Sequence, residues 1–593
     1  MLTTKLTELL SRAFGDAGYN PSYGEVVVSA RPDLCQFQCN GAMPAAKEYK
    51  KAPFMISDEV IDILKTYDEY GTIIEEAVTV RPGFINITLI NDYISQNTIS
   101  IMNDERFGIS LTDNPDTIVI DYGGPNIAKP LHVGHLRTAI IGESLKRLLK
   151  YLGHNVIGDI HLGDWGLQMG MIISEIERTQ PTLSYFDPNH TGDYPSEAPF
   201  TLENLEDIYP RVSALCKENE DMYNAAKEAT YKLQKGHPGY IALWKHIVNI
   251  SITDIKKNYE RLNVDFDLWY GESNSQEYID DAIAVLKEKN VLRESDGALV
   301  VDVTRPEDKK DIPPIILFKS DGSVIYGTTD LATIYQRVKD FDPTHILYVV
   351  DSRQATHFTQ VFRCAIDNGI VTEDVSLEHI GFGTMNGKDG KPFKTRAGGV
   401  LRLSDLIEMV ENNAKEKIVK NIEDKGIDTS SDDIDSISHI VGLATLKYAD
   451  LSNYRMKDYV FDLDKFSSFE GKTGPYILYS TVRIKNIIRK LEAADFEKGE
   501  LLAPRSEVER NLMLKIDQLE SILTIAARDR SPNIIAEYVY ELATMVSSFY
   551  HQHHIINESN IEQKKSWFSL LSLTLDVQTT CLDLLGIIVP EKM

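Results

Sequence analysis

His132 and His135 flank Gly134 in the segment Asp121-Tyr-Gly-Gly-Pro-Asn-Ile-Ala-Lys-Pro-Leu-His-Val-Gly-His135. The segment reads as the end of a strand, a Gly/Pro-rich loop and the start of a helix. A helix N-terminus presents unpaired N–H groups and a partial positive charge, which suits phosphate. Gly134 lets a nucleotide approach the backbone closely, and Lys129 adds a cation. The G-x-x-x-x-G-K-[ST] pattern of a Walker loop is absent. A histidine pair alone also fits a structural role or half a metal site. The strand–loop–helix context favours phosphate chemistry.

A second cluster lies far downstream, Gly383-Thr-Met-Asn-Gly-Lys-Asp-Gly-Lys-Pro-Phe-Lys-Thr-Arg-Ala-Gly-Gly399. Its five glycines, three lysines and one arginine predict a mobile cationic loop. Such a loop suits closure over a triphosphate and stabilisation of charge developing on it. Taken by itself it is equally a solvated basic hairpin.

The elements that must position these residues follow from periodicity. Leu2, Leu6, Leu9, Leu10, Ala13 and Phe14 recur at helical spacing. A β-branched run spans Glu25 to Ser29, a helix is predicted around Ser57 to Tyr67, and Gly83 to Ile90 reads as a strand. Residues 1–112 thus form a small α+β unit, closed by Asn114-Pro115. Thr117–Asp121, the helix from about His135 to Leu152 and the strand Asn155–Ile160 make a βαβ unit of a parallel sheet. Later strand candidates are Ala298–Val303, Ile315–Phe318 and His345–Val350. A polar helical insertion near 175–260 opens with Pro181, Pro188, Pro195 and Pro199. Beyond about 435 the pattern is wholly helical, with long stretches at Ser506–Ala527, Ile534–His551 and Lys564–Leu585.

Composition bounds the rest. A chain of 593 residues needs two to four domains. The formal net charge of −27 and pI near 5.0 suit a cationic small substrate. Read naively they oppose a nucleic-acid partner, although a local basic surface can coexist with an acidic remainder. Cys35, Cys39, Cys216, Cys364 and Cys581 are odd in number and scattered, which fits a reducing compartment. Cys35 and Cys39 have no second Cys/His pair at zinc spacing, so no structural metal is expected. No run approaches a membrane span, and no signal peptide opens the chain. A cytoplasmic protein without membrane association is expected.

The two clusters then carry a resemblance. HVGH resembles the HIGH signature of class I aminoacyl-tRNA synthetases. Lys391-Pro-Phe-Lys-Thr395 stands where their KMSKS loop belongs and keeps its lysines, departing at Pro392, Phe393 and Thr395. The strings PNIAKPLHVGHLRTAIIGE, HLGDWGLQMG, KPFKTRAGG, LKYADLSNYRMKDYVFDLDKFSSFEGKTGPY and terminal VPEKM resemble the arginine-specific family throughout the chain. The resemblance implies a multidomain α/β protein. An α+β N-terminal domain (1–112) contacts tRNA. A Rossmann-like parallel-sheet catalytic domain (113–435), a connecting segment (436–464) and an all-α anticodon-binding bundle (465–593) follow.

It also implies roles. His132, Gly134, His135, His161, Gly163, Asp164 and Gly383 would surround ATP, which binds with Mg²⁺. Lys129, Lys391 and Lys394 would hold its phosphates. The arginine substrate would meet Asp121, Asn126, Tyr326, Asp330 and Gln354. A guanidinium is planar, always charged and rich in donors, so facing carboxylates suit it. If residues 326–330 are helical, Tyr326 lies one turn before Asp330 on the same face. In the bundle and just before it, Tyr454, Tyr476, Tyr479, Arg483, Tyr550 and Met593 offer stacking and basic groups for tRNA bases. The partners implied are tRNA(Arg), L-arginine and ATP, with tRNA required before arginine is activated, and the protein acting as a monomer. The alternative is an inactive synthetase-like RNA- or protein-binding paralogue. It predicts erosion of His132, His135, Lys129 or Lys394, and all four are present.

Overall fold

The computed structural model describes residues 1–593 except 321, 392, 394–400 and 426–429, and of 424 and 425 only the backbone. Lys394 therefore lies outside the described residues. The first helix, Leu2–Asp16, buries the six apolar residues that mark its stripe. It packs on an antiparallel sheet of β1 (Val26–Val28), β2 (Phe37–Cys39), β3 (Ile74–Val80) and β4 (Phe84–Leu89), in the order β1-β2-β4-β3. Two of these strands escape the periodicity. β2 is three residues long, and β3 carries an irregularity between Ile74 and Glu76 that breaks its alternation. The predicted helix at Ser57–Tyr67 forms earlier, at Pro53–Leu64, because Pro53 supplies a fixed φ at the first turn.

The central sheet is wholly parallel. Its strands β5 (Thr117–Asp121), β6 (Asn155–Asp159), β10 (His345–Tyr348) and β11 (Ser376–His379) lie in the order β11-β10-β5-β6. Both faces are covered, as parallel sheets require. Along β5, Ile118 and Ile120 face one core while Val119 joins the other, with Leu331, Ile334 and Val361. In register, Asp121 stands between Asp159 on β6 and Tyr348 on β10.

Two strand candidates do not join this sheet. β8 (Ala298–Val301) and β9 (Ile315–Phe318) pair antiparallel with β7 (Leu292–Ser295) in a separate three-stranded sheet. Short apolar runs give strand type but not partner. The region after 435 is also not purely helical, since β13 (Tyr459–Val460) pairs parallel with β12 (Met385–Asn386). The predicted helix 506–527 is two helices, Glu507–Asp517 and Leu519–Arg528, meeting at Gln518.

The helix Val133–Tyr151 leads from the signature loop into the core. His132 is its N-cap, and the cap is reciprocal. The Gly134 N–H donates to His132 Nδ1 and the His132 N–H donates to His135 Nδ1, each at 3.0 Å. One turn on, buried Arg137 pairs with buried Asp450 at 2.9 Å and donates to the Gly383 carbonyl at 2.6 Å. This joint ties the signature helix to the root of the lysine-rich loop and to helix Ser431–Leu451. Replacing Asp450→Asn leaves the Arg137 charge uncompensated in the core. We expect a loss of about 3–5 kcal/mol, read as a lowered midpoint in thermal or denaturant unfolding.

Candidate functional site

The loops that follow β5 and β6 are zipped together at the carboxyl edge of the parallel sheet. The Ile127 N–H donates to the Gly163 carbonyl and the Gly163 N–H to the Pro125 carbonyl, both at 3.0 Å. A Cβ on Gly163 would meet Asn126 Oδ1 at 2.1 Å, so a larger residue there would displace the Asn126 side chain. His161, in the second loop, holds a left-handed φ of 39°. Non-glycine residues tolerate that region only when their surroundings enforce it.

The two signature histidines stack with ring centroids 3.9 Å apart. Each uses Nδ1 as an acceptor, which assigns the proton to Nε2 and makes both rings donors on their free side. Burial in the cleft, then the charges of His132 and Lys129, push the His135 pKa down to about 3. His132 is lowered too, first by desolvation. Both rings are therefore neutral N–H donors at neutral pH. The Lys129 ammonium lies 4.5 Å from the centroid of Tyr209, a residue of insertion helix Leu202–Glu218.

The lysine loop begins beside Gly383, where a Cβ would meet Asp458 Oδ1 at 2.6 Å. Lys391 closes a tight turn, its carbonyl accepting from the Gly387 N–H at 2.8 Å, and its side chain is exposed. The far side of this loop returns to the signature. The Val133 N–H donates to the Leu401 carbonyl and the Leu403 N–H to the Leu131 carbonyl. Arg402, between them, reaches Glu206 of the insertion at 3.1 Å.

A cavity of about 420 Å³ opens beside these loops, lined by Trp165, Glu272, Gln276, Tyr326 and Thr329 among others. Tyr326 begins helix Tyr326–Phe341, so Asp330 follows one turn later within the helix rather than capping it. Asp330 is 2.5 Å from His357 Nε2. Asp121 accepts from Arg337 at 2.7 Å. Asp164 is occupied as well, accepting from the Ser273 N–H at 2.9 Å and its hydroxyl at 2.6 Å. It thereby fixes the turn carrying Glu272, so its carboxylate acts on the scaffold of the pocket. Gln354 is exposed on the turn after β10.

The Glu272 side chain forms no ion pair among the described residues, and Lys319 lines the same cavity. Burial, and then the charges of Asp164 and Asp330, raise its pKa to about 8. A half-buried acid with no ion pair in a cavity is a candidate receptor for a cation. Sequence reading misses it because Glu272 lies far from both signature clusters in the chain. The Gly271-Glu-Ser-Asn274 turn is its only local mark. Arg337, Arg137 and Tyr209 are missed for the same reason. Ligand atoms of Asp121, Asp159 and His161 lie within 4.8 Å of one another, as in a metal site. Arg337 Nη2, 2.7 and 2.6 Å from the two carboxylates, already places one resident cation between them.

In the helical region, Tyr479 and Met593 line one cavity of about 550 Å³ with Lys417, Lys420, Phe469 and Lys592. The Arg483 guanidinium lies 4.8 Å from the Tyr479 ring and 5.3 Å from the Tyr550 ring. Tyr454 is exposed, whereas Tyr476 is half-buried against Tyr540.

The family model "tRNA synthetases class I (R), catalytic domain" matches residues 97–463. "Arginyl tRNA synthetase N terminal domain" matches 1–89, and "DALR anticodon binding domain" matches 477–593. The chain is 53% identical to an arginine–tRNA ligase of Alkaliphilus oremlandii and 50% identical to one of Agathobacter rectalis, each over the whole of both chains. It is similar to the crystal structure of arginyl-tRNA synthetase from Plasmodium falciparum, with TM-score 0.80 and 28% identity, covering 100% of this chain and 99% of that one. The Thermus thermophilus arginyl-tRNA synthetase shares the fold, with TM-score 0.79 and 22% identity over the whole of both chains. The chain belongs to the class I arginyl-tRNA synthetase family.

The state of Glu272 has a measurable consequence. A guanidinium ligand binds the ionised carboxylate and holds it ionised, so affinity rises with pH and levels off above about 8. Below that pH the gain is about tenfold per unit until the pKa of the bound state is reached. Direct titration from pH 6 to 9 reads this slope. Glu272→Gln should weaken binding and flatten the profile.

Proposed function

We propose the following working of this arginine–tRNA ligase, with the unpaired Glu272 carboxylate in the cavity beside the signature loop as the observation that carries the substrate assignment. The enzyme activates arginine with ATP and transfers it to the terminal adenosine of its tRNA. The substrate guanidinium lies between Glu272 and Asp330, with Tyr326 beside them. Half-buried carboxylates brought together without a cation are costly, and a neutral substrate side chain would leave them so. The α-ammonium and carboxylate are at the opposite end of arginine. They must reach the signature loop, where phosphate chemistry takes place. Asp121, at the end of the strand that runs into that loop, is the anion for the ammonium. Asn126 and Gln354 complete that end. The guanidinium partner of Asp330 is thus Glu272 rather than Asp121, because Asp121 already shares Arg337.

A substrate carboxylate oxygen attacks the α-phosphorus in line. The bond to the bridging oxygen breaks and pyrophosphate leaves. No side-chain nucleophile or proton transfer is needed, so positioning and electrostatics supply the rate. The neutral Nε2–H groups of His132 and His135 donate to the phosphoryl oxygens as charge grows on them. Lys129, Lys391 and Lys394 hold the phosphates, and Mg²⁺ enters as part of the ATP complex. His161, Gly163 and Gly383 shape the nucleotide site. The 2′-hydroxyl of the terminal adenosine then attacks the arginyl carbonyl. It gives up its proton as AMP departs.

The cavity at Tyr479 and Met593, with Lys417, Lys420 and Lys592, suits an unstacked base with its phosphates. The Arg483 stack adjoins Tyr479 and Tyr550. These are the parts we assign to the anticodon loop, with Tyr454 and Tyr476 more remote candidates. Activation waits for tRNA, and the enzyme works as a cytoplasmic monomer. No helix among the described residues is long and apolar enough to cross a membrane, and all five cysteines are buried and free.

Pyrophosphate exchange tests the assignment. We expect exchange with arginine only when tRNA is present. Arginine-dependent exchange without tRNA would remove the gate, and exchange with a neutral amino acid would remove the pocket. His132→Ala or His135→Ala should lower the exchange rate by roughly 10²–10³, the cost of losing one preorganised donor, with little change in the KM for arginine. Tyr479→Ala should raise the KM for tRNA and leave that for arginine unchanged.

A further inference from the structure

Arg337 lies on helix Tyr326–Phe341, seven residues beyond Asp330 and so on the same face two turns along. Its side chain is 2% exposed. One nitrogen, Nη2, donates to both Asp121 at 2.7 Å and Asp159 at 2.6 Å. The pairing of β5 with β6 sets those carboxylates side by side. On the other flank Tyr348 stands level with Asp121, its ring centroid 5.2 Å from the Arg337 guanidinium carbon. His161 lies 3.9 Å from Asp159, and the Asp330 charge also acts on Tyr348.

One guanidinium against two carboxylates leaves a net negative charge, enough to receive one more cation. Two carboxylates without Arg337 would form a guanidinium receptor of the same kind as the Glu272–Asp330 pocket. Arginine has a cation at each end, so two such receptors would accept it in two directions. In only one of them does its carboxylate face the signature loop.

We propose that Arg337 sets the direction in which arginine lies in the site: this resident guanidinium fills the Asp121–Asp159 pair, holds Asp121 as the receptor for the α-ammonium, and leaves the Glu272–Asp330 pocket alone for the substrate's guanidinium. The inference rests on the assignment of Asp121 made above. Arg337 touches no reacting atom and is a positioning residue.

The test compares arginine with 5-guanidinopentanoate, which is arginine without its ammonium, in pyrophosphate exchange by the full chain with tRNA. In the unmodified enzyme the analogue should inhibit competitively with a Ki at least tenfold above the KM for arginine. Arg337→Gln should raise the KM for arginine tenfold or more. It should leave the analogue's Ki within threefold and the KM for ATP within twofold, so the discrimination collapses. Arg337→Lys should restore part of it. Because Arg337→Gln strips two buried carboxylates of their cation and can unfold the chain, Asp159→Asn provides a milder variant. It leaves Arg337 paired with Asp121 alone, and should raise the KM for arginine at least threefold with the analogue's Ki unchanged. An unaltered arginine-to-analogue ratio in folded Arg337→Gln and Asp159→Asn overturns the proposal. So does a parallel loss for arginine, analogue and ATP, which marks Arg337 as scaffold. If Asp121→Asn itself keeps the full discrimination, the underlying ammonium assignment fails first.

Discussion

The register of two neighbouring strands places Asp121 beside Asp159 at the edge of the parallel sheet. Two carboxylates in so dry a place repel and desolvate each other unless a cation joins them. The cation is Arg337, and to deliver it the helix Tyr326–Phe341 must dock in one rotational setting. That setting also fixes Tyr326 and Asp330, earlier on the same face. The proposed substrate pocket is thus a by-product of placing a cation at the sheet edge. Asp164 extends the same economy. It spends its carboxylate on Ser273, and the turn it holds carries Glu272 within reach of the Asp330 charge.

A second joint keeps the phosphate end in step with the rest. His132 and His135 cap their own helix, so the donors proposed to meet phosphate are held by the backbone they terminate. Arg137, one turn on, grips Asp450 and the Gly383 carbonyl. Helix, loop root and the segment leading to the bundle are thereby tied together. The lysine loop is tied at its root and also at its return, by the backbone bonds of Leu401 and Leu403.

Much of this was legible in the chain. The signature loop, the βαβ unit and the 326–330 spacing each carry a local pattern, and each resembles a known family string. What stayed hidden was pairwise and long-range. Arg337 and Arg137 look like ordinary surface charges until the fold buries them against partners far away in sequence, and so does Glu272 until the fold sets it unpaired in a cavity. The strands β8 and β9 were visible as strands, but an apolar run does not say which sheet it joins. β2 and β3 were invisible because one is too short and the other is broken by an irregularity. The acidic balance is also clearer in three dimensions. Lysines 417, 420 and 592 gather at one cavity of a protein whose net charge is −27, so a local basic site sits on an acidic body.

The central claim is that the empty site keeps one carboxylate largely protonated until the substrate's guanidinium ionises it. Calorimetric titration of arginine into the full chain at pH 7, in buffers of differing ionisation enthalpy, counts the protons exchanged on binding. The account predicts net proton release at pH 7 that fades above pH 9 and is lost in Glu272→Gln. Binding with no proton exchange, or with release that persists in that variant, would contradict it.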